Sequence, residues 1–319
     1  MNLNQQNHSH SSSENISEDG TGEDCIKSPR PVVLLLLDGF GVAQANEGNA
    51  FSNLKLPTLS KLINNYPVAL LSPLEGSVNQ RYLSLGTGDF KNEEDLSSQK
   101  KFLSLSSFLA EKNIRQIKIT GSERFASLTN FFNGLEEDSF PFEDLHIISS
   151  SLKNGKQLSR ENISKKIFAE LLNKLDEENL ADLIIVSEPA IDLSARHGNI
   201  ELTKKEIIQI DKLLKKLVDK ILEKNAVLLI SSTFGNAEKM MDLGMEIEDN
   251  LPTQNPLPLI FVNPGFKGLR AGESDVLGGD LSSLNIYGSL IDIVPTILEL
   301  LGFDKPEEFK GKALTKNLL

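Results

Sequence analysis

Cysteine is almost missing from this chain: Cys25 is the only one in 319 residues. A lone thiol excludes an intrachain disulfide and fits a reduced, cytoplasmic setting. Long apolar runs are missing too, since none approaches the roughly 18 residues that a membrane helix needs. The first segment has neither the basic start nor the apolar centre of a signal peptide. Membrane partners are therefore not expected. Positive charge is in deficit, with 33 Lys and Arg against 45 Asp and Glu and a net charge of −12. That balance argues against nucleic acid and against an anionic membrane surface. Histidine is scarce. Of four, His8 and His10 lie near the start, which leaves His146 and His197 for a folded body.

What remains is ordinary for a globular chain, with 39% hydrophobic and 24% charged residues. Residues 1–29 are rich in Ser, Asn, Gln and Glu, too polar to offset the entropy of ordering, and read as a disordered tail. Residues 30–319 read as one domain. Its organising stretch is VVLLLLDGFG at 32–41. Six apolar residues without alternation predict a strand buried on both faces, as in the centre of a parallel sheet. The strand ends at Asp38 beside Gly39 and Gly41, at the edge where open α/β sheets collect ligands and catalytic groups. An aspartate that only caps a turn fits the same local sequence.

Strand and helix then alternate. Helices are expected over Leu56–Tyr66, Leu103–Lys112, Glu123–Phe132, Asn162–Glu178, Thr203–Lys224 and Ile293–Leu301, the last with Asp292 as its N-cap. Strands are expected at Val68–Leu71, Ile114–Ile119, Leu145–Ile148, Leu183–Val186, Val227–Ile230 and Leu259–Val262, with a polar loop over residues 91–100. This order predicts an α/β fold, doubly wound, with a mainly parallel sheet and helices on both faces.

Several stretches resemble the cofactor-independent phosphoglycerate mutases: LDGFG at 37–41 with EGNAF at 47–51, HGNIE at 197–201, FGNAEKM at 234–240 and VPTILELLG at 294–302. The resemblance implies an alkaline-phosphatase-like fold. It also implies a phosphoryl-transfer site in which two Mn²⁺ or Mg²⁺ ions, about 4 Å apart, flank a serine nucleophile. The family's inserted substrate domain has no counterpart between Gly86-Thr87-Gly88 and Ser104.

Carried over residue by residue, the resemblance keeps only two metal ligands, Asp38 and Asp192. The nucleophile position falls on Val78, with Ser77 as a weak substitute. Ligand positions fall on Arg196, Thr233, Phe234 and Pro252, and His197 stands where the family has threonine. Phe and Val cannot coordinate a divalent ion, and an arginine repels one. The expectation is a pseudoenzyme with a vestigial site and no cofactor, acting as a binding, regulatory or structural module. Arg196, reinforced by Arg81, is expected to supply the counter-charge for Asp38 and Asp192. Arg81, Arg124, Arg196 and Lys239 are candidates for an anion pocket, so the expected partner is a small anionic ligand or an unidentified protein. Separate structural charges explain the same four residues. The alternative is an active metal-dependent phosphoglycerate mutase or phosphatase. A third reading gives Asp38 and Asp192 a single Mg²⁺ or Ca²⁺.

Overall fold

The computed structural model describes residues 30–319 apart from 99, 152–157, 243–246, 249–250, 272–278, 317 and 319. The proposed tail at 1–29 lies outside the described residues. The strands are β1 (Val32–Leu37), β2 (Val68–Ser72), β3 (Gln116–Gly121), β4 (Glu143–Ile148), β5 (Leu183–Glu188), β6 (Val227–Ser231), β7 (Met241–Asp242), β8 (Ile247–Glu248), β9 (Leu257–Val262) and β10 (Ile286–Ser289). The helices are α1 (Pro57–Asn65), α2 (Val78–Thr87), α3 (Glu93–Ser97), α4 (Leu105–Glu111), α5 (Arg160–Asp176), α6 (Ala190–Ala195), α7 (Ile200–Glu223) and α8 (Ile293–Leu300).

Eight strands form one sheet in the order β10-β2-β9-β6-β1-β5-β3-β4, and β7 pairs with β8 alone. Strand β1 sits inside it, parallel to both β5 and β6, with all six residues buried. Its unbroken apolar run is what a strand covered on both faces requires. Helices cover the two faces, so the sheet is mostly parallel and doubly wound. The exception is β9, antiparallel to β2 and β6. Between β6 and β9 the described chain holds only turns and the small β7-β8 ladder, without the crossover helix that a parallel return needs.

Some local expectations are corrected. The segment expected as a polar loop carries helix α3, because Asn92 and Asp95 form a reciprocal capping box. Asp292 does not cap α8 with its side chain. It accepts hydrogen bonds from the backbone N–H of Ser289 (2.8 Å) and Lys312 (2.7 Å), closing a 3₁₀ turn ahead of the helix. The helix expected over Glu123–Phe132 is a 3₁₀ turn, Ser122–Arg124, followed by a π-helical turn, Ser127–Phe131. Helices α2 and α6 and strand β10 lie outside the expected elements. Both helices carry side chains into the site.

Candidate functional site

The site lies at the carboxyl ends of β1 and β5. Asp38 follows β1, and its N–H donates to the carbonyl of Glu188 at the end of β5 (3.2 Å). Its own carbonyl accepts from the N–H of Asp192 in α6 (3.0 Å), so backbone contacts fix the two aspartates side by side. Gly39, at φ +95°, makes this approach possible. A Cβ there would fall 2.8 Å from Asp192 N and from Asn236 Oδ1.

Both carboxylates are fully buried, and every one of their oxygens is engaged. Arg124, delivered by the 3₁₀ turn after β3, bridges them. Its Nε donates to Asp38 Oδ2 (2.8 Å) and its Nη2 to Asp192 Oδ2. Tyr82 from α2 donates to Asp38 Oδ2 (2.9 Å), and Thr233 after β6 donates to Oδ1 (2.7 Å). Asp192 Oδ1 accepts from Arg196 Nε (2.7 Å) and from Asn236 Nδ2 (2.5 Å). Burial alone would lower the pKa of Arg124, but the charges of Asp38 and Asp192 raise it above its ordinary value. Burial pushes the Tyr82 phenol well up, so it stays a donor at neutral pH.

The buried Phe234 ring lies at the centre of the cations. The guanidinium carbons of Arg81, Arg124 and Arg196 stand 5.6, 5.8 and 5.6 Å from its centroid. The electron-rich ring face attracts each of them. Arg81 is buried at 2% exposure, and among the described residues its Nε and Nη1 have no hydrogen-bond partner. Burial lowers its pKa despite the attraction of Asp38.

The counter-charge expected from Arg196 and Arg81 thus comes chiefly from Arg124. Among the described carboxylates Arg196 reaches Asp192, one helical turn away in sequence. Arg81, Arg124 and Arg196 are brought together, whereas Lys239 is exposed on the turn beyond Asn236. His197 is also exposed, with Nδ1 2.6 Å from the carbonyl of Leu193 and Arg160 against its ring. Val78 is the first residue of α2. The Ser77 hydroxyl oxygen caps that helix by accepting from Gln80 N–H (3.3 Å). Pro252 precedes Thr253, whose N–H donates to the Gly235 carbonyl (2.7 Å) beside Phe234. Tyr82 and Asn236 were not singled out in the sequence. Asn236 stood in plain view inside FGNAEKM, while Tyr82 needed the unrecognised helix α2 to give it a direction.

A two-ion centre needs hard oxygen or imidazole donors around each ion. Among the described residues no three His, Cys, Asp or Glu side chains gather into such a set. At Asp38 and Asp192 the carboxylate oxygens already face guanidinium, hydroxyl and amide donors. As arranged, these residues do not fit a pair of divalent ions.

Comparison with known proteins places this geometry in a family. A model of the metalloenzyme superfamily matches residues 30–305. A 2,3-bisphosphoglycerate-independent phosphoglycerate mutase of Clostridium acetobutylicum is 31% identical over 210 residues, 66% of this chain and 38% of the relative. The chain thus spans under two fifths of that relative's length. Among solved structures, the lipoteichoic acid synthase LtaP of Listeria monocytogenes superposes with a TM-score of 0.60 at 14% identity, over 92% of this chain and 77% of its own. An alkaline phosphatase variant of TAB5 with Mg bound gives 0.56 at 10% identity, over 88% of this chain and 99% of its own. At those identities the likeness is one of fold. The match also corrects the expectation of no cofactor, because a divalent metal is what membership of this family implies. The chain belongs to the metalloenzyme superfamily, with an alkaline-phosphatase-like fold and cofactor-independent phosphoglycerate mutases among its relatives.

Proposed function

We propose that this chain is a non-catalytic member of its family that works by binding, with a small anion or another protein as its partner. One observation carries the reading: Arg124 spans Asp38 and Asp192 and takes one oxygen of each. The side chain at the nucleophile position, Val78, has no lone pair to attack phosphorus, and Ser77 spends its oxygen on a helix cap. The short path from Thr87 at the end of α2 to Leu105 at the start of α4 supports the reading that the inserted substrate domain is lacking. Cytoplasmic work belongs to the same reading. No described helix is long and apolar enough to cross a membrane.

An active metal-dependent phosphoglycerate mutase or phosphatase is the second reading. It is favoured by the 31% identity to a mutase and by the retention of Asp38 and Asp192. It requires a divalent ion to displace Arg124. Assay of the full chain with 3-phosphoglycerate, with and without Mn²⁺, separates the two. The non-catalytic reading expects no turnover above background in either condition, since removal of a nucleophile normally costs several powers of ten in rate. Turnover that depends on Mn²⁺ overturns it.

A further inference from the structure

Away from the two aspartates, α1 and the second half of α7 leave a cleft of about 260 Å³ between them. Leu62, Tyr66, Val218 and Leu222 give it an apolar lining, and the exposed Lys61, Lys215 and Asp219 stand beside that lining. Neither lysine has an ion pair among the described residues. The whole face is rich in lysine. Over α1 and residues 211–224 the chain carries Lys61, Lys212, Lys215, Lys216, Lys220 and Lys224 against Asp211, Asp219 and Glu223. Asp176 of α5 pairs with Lys220 and Lys224, and the face stays net positive when it is counted. The chain as a whole has the opposite sign. Residues 1–29 hold Glu14, Glu18, Asp19, Glu23 and Asp24 against Lys27 alone, so they account for −4 of the total −12 and residues 30–319 for −8. An acidic segment is therefore repelled by most of residues 30–319 and attracted to this face.

We propose that the chain's own residues 14–19, ENISED, dock on this face, with Ile16 in the cleft and Glu14, Glu18 and Asp19 against Lys61, Lys215 and Lys216. The reach suffices. Val227 N–H donates to the Pro31 carbonyl (3.0 Å), and Leu222 stands five residues before Val227. The cleft therefore begins within about 20 Å of Pro31. Lys215 lies seven residues further back along α7, roughly 10 Å of helix. Fourteen residues separate Ile16 from Arg30, an extended span of roughly 46 Å. Ile26 is the competing anchor, but Lys27 stands next to it, whereas Ile16 has acids on both sides. A tether of this length keeps the segment at an effective concentration in the millimolar range, so even a weak contact is populated. Any acidic partner for the face has to displace it. The face shares no residue with the site of Asp38 and Asp192, and the proposal is independent of whether that site turns over.

The test is zero-length carbodiimide crosslinking of the full chain, read by peptide mass spectrometry, since it joins a carboxylate to an amine only where the two touch. Bonds from Glu14, Glu18 or Asp19 to Lys61, Lys215 or Lys216 are expected within one chain. A mixture of isotope-labelled and unlabelled chains separates these from bonds between copies. Added sodium chloride is expected to lower their yield, because exposed charges are screened. Ile16→Asp keeps every crosslinkable group and is expected to lower the yield about tenfold, as for loss of one buried aliphatic side chain. Ile26→Asp is expected to leave it unchanged. Neither substitution alters a described residue. The proposal is overturned by the absence of such bonds, by bonds spread evenly over lysines elsewhere such as Lys267 and Lys310, or by bonds between copies only, which would assign the face to a second chain. A yield that Ile16→Asp leaves intact or raises, or that Ile26→Asp lowers equally, overturns it as well.

Discussion

Phe234 shows how one residue changes what its neighbours can be. A phenyl ring holds no ion, but it gives three guanidinium groups a common electron-rich surface. Nearby, Glu188 has no ion pair among the described residues. Its carboxylate accepts from Ser164 Oγ (2.8 Å) and from the N–H of Ala190, and burial pushes its pKa up to about 7. The unfolded chain ionises this group near its ordinary 4.5. The associated stability is therefore fully present below about pH 4.5 and is lost as the pH rises to about 7. The loss is on the order of 3 kcal/mol. Urea unfolding near pH 5 and near pH 8 checks this: Glu188→Gln is expected to be less pH-sensitive than the parent chain by about that amount. Equal slopes in the two proteins would refute it. Of the site residues, Asp38 and Asp192 were legible because family motifs frame them. The pairing of Arg124 was not, because residue type shows charge but not reach.

Among the elements, β3 and β4 are held by a buried ion pair at the sheet's edge. Lys118 Nζ lies 2.6 Å from Glu143 Oε1, with both side chains almost wholly buried. Asn133 accepts from Lys118 and donates to Glu143, and the Phe132 ring lies 4.8 Å from the ammonium. Burial pushes the Lys118 pKa down to about 8 against the attraction of Glu143. Glu143→Gln strands the ammonium and is expected to cost about 3–5 kcal/mol at neutral pH. Without Glu143 the folded-state pKa of Lys118 falls further, so the cost should shrink as the pH rises toward about 8, above which the buried amine is neutral in both proteins. A penalty that stays constant over that range would show that packing rather than charge is lost. Elements with one clear stripe, such as α5 and α7, were readable within a few residues. Helix α2 was not. Eight of its ten residues are buried, so no polar face marks the period. The glycine within it, Gly86, marks its close approach to the π-helical turn, where a Cβ would meet the Phe132 carbonyl at 2.0 Å.

At the scale of the molecule, the fold was legible because its centre is simple: one fully apolar strand flanked by parallel neighbours, with helices alternating along the chain. The reversed direction of β9 was not, since an apolar run reads the same both ways. Asp38 follows β1 and Asp192 lies in α6 beyond β5, and Arg124 spans the place between them. The measurement that tests this most directly is urea unfolding of Arg124→Met alone and of Arg124→Met combined with Asp38→Asn and Asp192→Asn. If Arg124 is the shared counter-charge, the single variant loses about 3–5 kcal/mol, and the triple variant, with neither carboxylate left charged, recovers most of it. A single variant as stable as the parent, or a triple variant no better than the single, would contradict that account.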